Sequence, residues 1–169
     1  AVLLHLIAEV KADLPVLFLE TGKHFSQTLD YKAKLVEMLG LTNVIDLRPD
    51  EAEITKRDET GLRWSYDPDG CCEIRKVLPL AKALAGYDAS LTGRKAFQNT
   101  ERAQLPRFEV DTSDAAGRLK INPLIDWKPD DINAYFEEHD LPRHPLVAEG
   151  FPSIGCEPCT HKVAPGEDP

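Results

Sequence analysis

No stretch of this sequence stays apolar for the roughly 20 residues that a membrane-spanning helix requires. The apolar start, Ala1 to Val10, has no basic cluster before it and therefore does not resemble a secretory signal. Positive charge is also scarce: 20 Lys and Arg against 29 Asp and Glu give a formal net charge of −9, which argues against nonspecific nucleic-acid binding. Internal repeats and low-complexity segments are missing too. We expect a soluble, cytoplasmic protein that binds neither membranes nor nucleic acids.

Size and periodicity predict the fold class. At 169 residues and 42% hydrophobic, the chain can bury one sizeable core, so we interpret residues 1–169 as a single domain. Apolar periodicity predicts helices and strands in alternation, and such alternation favours an α/β fold with a mostly parallel sheet and helices on both faces. The predicted helices are Val2–Lys11, Phe25–Leu39, Cys71–Ala85 and Pro129–His139; the predicted strands are Pro15–Leu19, Val44–Leu47, Ala89–Thr92 and Leu119–Ile121. No element is assigned within Arg48–Asp69, and the tail Leu141–Pro169, rich in Pro and Gly, is predicted to be irregular.

Cysteine is rare, and its four copies are arranged as the adjacent pair Cys71 and Cys72 and the CxxC pair Cys156 and Cys159. Four thiolates are the complete ligand set of a structural zinc ion or an iron–sulfur cluster. Two disulfides would need an oxidising compartment, and buried apolar thiols are the ordinary alternative for scattered cysteines. Adjacent cysteines usually diverge, which favours a cluster with separated iron corners. The spacing alone leaves zinc open.

The helix that carries Cys71 and Cys72 is predicted to place positive charge next to the two thiols. Asp69 is a candidate N-cap, and sulfurs in the first turn feel the positive end of the helix dipole, which would lower their pKa. Arg75 and Lys76 follow four residues after the two cysteines, on the same helix faces if the helix is regular. They are either cations between a cluster and an anionic substrate or ordinary exposed helix charges.

Two loops follow predicted strands, where open α/β sheets collect ligands. Thr21 and Gly22 end the first strand, although Gly22 alone equally indicates a simple turn. Gly93 and Arg94 follow the third strand, and Arg94, Lys95 and the later Arg102 form a basic group suited to phosphate or sulfate, or else a solvated surface. His161 is a surface or neighbouring residue rather than a ligand, and we find no ligand spacing for the remaining histidines, His5, His24, His139 and His144.

Several segments together resemble the assimilatory adenylyl-sulfate reductases, and the resemblance spans nearly the whole chain. The cysteine segments are specific in combination, whereas the two loops would be weak alone. These segments are Cys71–Leu80, Pro152–Thr160, Glu20–Gly22, Thr92–Lys95 and Asn122–Trp127.

The resemblance implies an adenine-nucleotide alpha hydrolase-like fold and reduction of adenosine 5'-phosphosulfate to sulfite and AMP, in the sulfate assimilation that leads to cysteine biosynthesis. It implies a 4Fe-4S cluster held by Cys71, Cys72, Cys156 and Cys159, with an electrostatic role shared with Lys76, and thioredoxin as the reductant. We expect the substrate-binding residues to be Thr21, Gly22, Lys76, Gly93, Arg94 and Arg102. The adjacent cysteine pair goes with the unphosphorylated substrate in this superfamily, and the 3'-phosphorylated substrate stays an alternative.

Two departures from the family pattern set further expectations. The family's nucleophilic cysteine lies in a C-terminal Glu-Cys-Gly motif, which we expect beyond Pro169, so no catalytic residue is assigned within this chain. The serine-rich phosphate loop expected before the first helix is also missing, so we interpret the chain as trimmed at both ends. A non-enzymatic four-cysteine zinc domain that binds nucleotide or protein stays the competing class, and a homo-oligomer is compatible with either.

Overall fold

The computed structural model describes residues 1–98, 102–112 and 117–162. In this part of the chain, seven α-helices and five strands have the order α1 (Val2–Lys11), β1 (Val16–Leu19), α2 (Ser26–Met38), β2 (Val44–Leu47), α3 (Glu51–Arg57), α4 (Pro68–Cys72), α5 (Leu78–Leu84), β3 (Ala89–Leu91), β4 (Phe108–Val110), β5 (Leu119–Ile121), α6 (Pro129–Glu138) and α7 (Pro145–Ala148). A π-helical segment, Glu73–Val77, joins α4 to α5. Among the described residues, no helix is long and apolar enough to cross a membrane.

The chain divides into two compact units. The first unit comprises Ala1–Lys11 and Leu84–Pro142, and the second comprises Ala12–Ala83 and the described residues from Arg143 onward. The interpretation of residues 1–169 as a single domain stays a prediction.

The second unit contains a parallel strand pair. β1 pairs with β2 in the register Val16 to Val44 through Leu19 to Leu47. Helix α2 connects the two strands, as a parallel pair requires. The buried apolar residues of this unit are Leu35, Leu41, Cys71, Ile74, Leu146 and Cys156.

The first unit contains a three-stranded sheet with the order β3-β5-β4. β3 and β5 are parallel, whereas β4 pairs with β5 in antiparallel fashion. The buried apolar residues of this unit are Val2, Leu124, Ile125 and Leu141. The parallel pairs β1-β2 and β3-β5 confirm the predicted α/β class, and the antiparallel β4 is an addition that the sequence pattern did not predict.

The predicted elements agree with the structure to within one or two residues at most ends. Helix α1 begins and ends as predicted, and the predicted helix Cys71–Ala85 is α4, the π segment and α5 in succession. The Arg48–Asp69 stretch contains the unpredicted helix α3, which Asp50 caps by accepting from the N–H groups of Ala52 and Glu53. The tail was predicted to be irregular, and it contains the short helix α7 and a 3-10 turn, Glu157–Cys159; its residues 163–169 lie outside the described part.

Candidate metal and anion site

The first cysteine pair sits on a short capped helix. Helix α4 begins at Pro68, and Asp67 is its N-cap, because the Asp67 carboxylate accepts the Gly70 N–H at 2.9 Å. The expectation that Asp69 caps this helix is therefore wrong: proline takes the first helical position, which makes the preceding residue the cap. A Cβ on Gly70 would lie 2.2 Å from Asp67 Oδ2, so a larger residue here would displace the carboxylate that caps the helix.

The helix changes its pitch directly after the cysteines. Glu73–Val77 is π-helical, and this i→i+5 pattern widens the turn, so the four-residue spacing no longer fixes a common face. Arg75 nevertheless lies close enough to Cys71 for its positive charge to act on the thiol, and this charge by itself lowers the pKa of Cys71. Single-turn π segments occur often at functional sites.

Arg75 is buried and fully engaged with protein acceptors. Its Nε and Nη2 donate to Asp58 Oδ2 at 3.2 and 2.7 Å, and its Nη1 donates to the Thr21 carbonyl at 2.9 Å. Asp58 also accepts the Arg63 N–H at 2.8 Å. The interpretation of Arg75 as an exposed helix charge is therefore wrong, and its guanidinium links the cysteine helix to the loop after β1.

That loop also holds the second cysteine pair. The Thr21 side chain is completely buried, and its hydroxyl lies 3.3 Å from Cys156 Sγ. The Lys23 carbonyl accepts the Glu157 N–H at 2.8 Å, and His24 forms an antiparallel bridge with Cys156. Thr21 therefore touches both cysteine segments: its carbonyl binds Arg75 from one, and its hydroxyl meets Cys156 of the other.

Gly22 explains how the loop turns between these contacts. Its φ is +70°, a conformation that favours glycine, and its N–H donates to Glu20 Oε1 at 2.9 Å. A Cβ at this position would lie 3.7 Å from Arg75 Nη1, which is ordinary contact. Backbone conformation, and not crowding, therefore requires glycine here.

All four thiols are free, and they differ in exposure. Cys71 and Cys156 are buried, Cys72 is half-buried and Cys159 is exposed. Burial raises the pKa of the Cys71 thiol, and the nearby positive charge of Arg75 only partly offsets this. The expectation of a lowered pKa is thus wrong for Cys71, because desolvation of a thiolate outweighs the favourable charges. A bound metal would remove the proton, since its own charge dominates such a site.

The spacing of the sulfurs bears on which metal the site fits. Within the described residues, which include all four cysteines, no three sulfurs lie within 4.8 Å of one another. A tetrahedral zinc ion with bonds of ~2.3 Å would hold its sulfurs about 3.8 Å apart. This spacing does not match a tetrahedral zinc site, whereas the thiolates of an iron–sulfur cluster bind separate irons and lie farther apart. Four free thiols are the donor set that fits a cluster.

Lys76 differs from Arg75 in having no partner. It is half-buried in the π segment, and among the described residues no hydrogen bond or ion pair engages its ammonium group. An uncompensated cation four residues from Cys72 is suited to hold an anion.

The predicted residues Gly93, Arg94 and Arg102 lie in the first unit. Arg94 Nε donates to Thr92 Oγ1 and Asn122 Oδ1, each at 3.1 Å, and Arg94 Nη2 forms an ion pair with Glu109. This network includes the completely buried Asn122 and holds the Arg94 side chain in one orientation.

Lys95 and Arg102 form a second pair of cations in this unit. Lys95 Nζ donates to the Gly93 carbonyl at 2.9 Å, and Arg102 Nη1 donates to Gln98 Oε1 at 2.5 Å. Burial, followed by the positive charge of Arg102, lowers the pKa of Lys95. Two cations close enough to repel each other are a suitable environment for a phosphate or sulfate group.

The sequence patterns missed Asp58, which orients Arg75, and the pairing of His5 with His139. Asp58 has no motif of its own, and its role depends on the fold alone. A histidine signal was present: His5 and Glu9 are four residues apart on a predicted helix and so share a face. The finding of no ligand spacing for His5 and His139 is wrong, because these two side chains and Glu9 lie together.

Comparison with known proteins gives a consistent result. The model of the family described as phosphoadenosine phosphosulfate reductase domain matches residues 1–162. A protein of Mesorhizobium japonicum named adenosine 5'-phosphosulfate reductase is 49% identical over 168 residues, which cover 99% of this chain and 65% of that protein. A protein of the same name from Chelativorans is 48% identical, and the match covers 99% of this chain and 67% of that protein. The chain thus spans about two thirds of the length of these curated relatives.

Solved structures agree on the fold. The crystal structure of phosphoadenylyl-sulfate reductase from Candida auris, a phosphate complex, has a TM-score of 0.76 and 30% identity, covering 95% of this chain and 77% of that one. FMN adenylyltransferase from Candida glabrata has a TM-score of 0.60 at 17% identity, covering 85% and 43% of the two chains. The second likeness shows the fold alone, and together they confirm the adenine-nucleotide alpha hydrolase-like class.

Proposed function

The chain belongs to the phosphoadenosine phosphosulfate reductase family, and from this membership we propose that the protein is an oxidoreductase of sulfate assimilation. Its reaction would be the reduction of adenosine 5'-phosphosulfate to sulfite and AMP in the cytoplasm. Curated relatives that are 40% identical or more bear the name of this activity.

The observation that carries the proposal is the contact of both cysteine segments with Thr21. Arg75 from one segment binds its carbonyl, and Cys156 of the other meets its hydroxyl. Cys71, Cys72, Cys156 and Cys159 would together hold a 4Fe-4S cluster, consistent with free thiols spaced more widely than zinc requires. When bound, the cluster supplies an electrostatic environment for the sulfate group and no electrons to it.

The residues of this chain would then bind and orient the substrate. Lys76, the unpartnered ammonium, would hold the sulfate. Thr21 and Gly22 would fix the loop that supports Cys156, and in the first unit Gly93, Arg94 and Arg102 would bind phosphate oxygens. Arg94 is held in place by Glu109 and Asn122, which reduces the entropy lost on binding.

We propose that the nucleophile is a further cysteine thiolate of the full-length protein, because the four cysteines of this stretch would form the ligand set. The thiolate attacks the substrate sulfur, the sulfur–oxygen bond to the nucleotide breaks, and AMP leaves with that electron pair. The enzyme then carries an S-sulfonate. One thiolate of thioredoxin attacks the enzyme sulfur and expels sulfite, which leaves a disulfide between the enzyme and thioredoxin. The second thioredoxin thiolate breaks that disulfide, closes the thioredoxin disulfide and frees the enzyme thiolate, so the dithiol supplies both electrons.

Two alternatives compete with this proposal. The C. auris relative is named for the 3'-phosphorylated substrate, and it is less similar to this chain than the curated relatives. A zinc domain without activity would need the four sulfurs to move closer together than they lie here.

The test is sulfite release by the full-length protein, purified without oxygen and supplied with thioredoxin. We expect kcat/KM to be higher for adenosine 5'-phosphosulfate than for its 3'-phosphorylated form. The reverse order would favour the alternative substrate, and failure to form sulfite from either would contradict the proposed activity. A Cys156→Ser variant should lose activity together with iron.

A further inference from the structure

Three side chains with metal-binding groups converge in the first unit. His5, Glu9 and His139 each offer a ligand atom, and these atoms all lie within 4.8 Å of one another. His5 and Glu9 lie four residues apart on α1 and therefore share one face of that helix. His139 is the residue at which α6 ends. These three side chains thus connect two helices that are distant in sequence.

Tyr135 contacts both histidines of this group. Its hydroxyl lies 2.8 Å from His5 Nδ1, and its ring packs against His139 with centroids 4.2 Å apart. In the tautomer whose Nδ1–H donates to the hydroxyl, His5 keeps the lone pair of Nε2 for a ligand. Metal-binding histidines usually have their second ring nitrogen hydrogen-bonded in this way, which fixes the ring.

We propose that His5, Glu9 and His139 bind one divalent transition-metal ion of the zinc class. Two imidazoles favour zinc, copper, nickel or iron over magnesium and calcium, which prefer oxygen ligands. Two histidines and one glutamate form a known zinc ligand set that leaves a fourth position for water. The ligand atoms need only a small approach to reach bonding distance, and Glu9 is exposed and free to rotate.

The ion would crosslink α1 to the C-terminal end of α6. The four cysteines belong to the second unit, so this site and the proposed cluster have no ligand in common. The opposing interpretation is a metal-free ring contact, in which the His5 and His139 rings, with centroids 4.6 Å apart and planes tilted by 44°, only pack beside Tyr135. The two interpretations differ in whether zinc binding depends on Glu9.

The probe is Zn²⁺ alone, added to the cluster-loaded full-length protein by equilibrium dialysis, with bound zinc measured by mass spectrometry. Because vacant cysteines also bind zinc, the decisive quantity is the difference between wild type and variants. Glu9→Gln is the main variant, since an exposed residue can be changed without loss of folding. His139→Gln is the second, and Glu37→Gln, an exposed carboxylate on α2, is the matched control.

We expect wild type and Glu37→Gln to bind one more zinc per chain than Glu9→Gln and His139→Gln do at the same free Zn²⁺. Loss of a ligand should weaken this site at least ~10-fold, and Tyr135→Phe should weaken it about 10-fold through its support of His5. Excess Mg²⁺ should not compete. Equal zinc in wild type and both ligand variants would overturn the site. Iron content reports the cluster separately, so either proposal can fail alone.

Discussion

Replacing Arg75 with methionine tests whether the guanidinium joins the cysteine helix to the loop after β1. The change removes three hydrogen-bond donors, two to Asp58 and one to the Thr21 carbonyl, while it keeps a flexible apolar side chain of similar length. Asp58, only 2% exposed, would then keep the hydrogen bond from the Arg63 N–H. The variant therefore leaves a buried carboxylate without its counter-charge.

The size of the effect follows from burial. The side chains of Arg75 and Asp58 are 9% and 0% exposed, and breaking a buried pair by removing one partner typically costs about 3–5 kcal/mol. Since domains are stable by about 5–15 kcal/mol, the loss would be a large fraction of the whole. We expect Arg75→Met to lower the free energy of unfolding by about 3 kcal/mol or more.

The assay is urea denaturation of the reduced protein with a chelator present, followed by circular dichroism. Arg107→Met is the control, because its ion pair with Asp126 is 50% and 71% exposed and should contribute about 0–1 kcal/mol. Combining Arg75→Met with Asp58→Asn should cost clearly less than the sum of the single changes. A loss no greater than that of the control, or strict additivity, would refute the linking role.

The same pair gives the effect a pH dependence. Burial alone would raise the pKa of the Asp58 carboxyl, but hydrogen bonds from Arg75 and the Arg63 N–H hold it below its ordinary value. A lowered folded-state pKa contributes stability above the unfolded pKa of about 3.9, and this is lost as pH falls through the folded value. In Arg75→Met burial acts without this counter-charge and raises the pKa of the Asp58 carboxyl. The stability difference between wild type and Arg75→Met should therefore be largest at neutral pH, and it should shrink as pH falls through the raised pKa of the variant and then through the lowered pKa of wild type.

Three further changes test the site. Lys76→Ala should sharply lower sulfite release by the full-length enzyme while its iron content stays intact, and Lys82→Ala, at an exposed position, is the control. Unchanged kinetics would show that Lys76 is an ordinary helix charge. Gly22→Ala should lower the free energy of unfolding by about 1–2 kcal/mol because the φ of Gly22 is +70°, whereas Gly86→Ala, which has open space around it, should not. Equal stabilities of the two variants would contradict the backbone argument. Arg102→Ala should raise the Kd for the nucleotide, and equal affinity would remove Arg102 from the proposed site.

Much of the fold could be predicted because the helices and strands have clear apolar periodicity. Helix α3 was missed because Glu51–Arg57 is nearly all polar, so its stability depends on the Asp50 cap and the Glu53–Arg57 ion pair. Strand β4, Phe108–Val110, was missed because it is an edge strand whose Phe108 and Val110 are each 60% exposed, so no buried apolar run marks it in the sequence. Local pattern thus identified the elements with an apolar face, and missed those held by capping or by an edge pairing.

The site could be predicted only in its residue types. The four cysteines and Lys76 stand out in the sequence, whereas the burial of Arg75 and its pairing with Asp58 depend on a contact across 17 residues. The expected cap at Asp69 failed by two positions because Pro68 begins the helix. The raised pKa of the Cys71 thiol could not be foreseen, because burial is a property of the folded chain.

The central claim is that four cysteines of this chain hold one 4Fe-4S cluster. The most direct measurement is iron, acid-labile sulfide and zinc analysis of full-length protein purified without oxygen, beside Cys159→Ser and the nearby exposed Ser153→Ala as control. We predict a brown protein with about four irons and four sulfides per chain in wild type and Ser153→Ala, and their loss in Cys159→Ser. A colourless protein without sulfide, whose cysteines bind one zinc, would contradict the account.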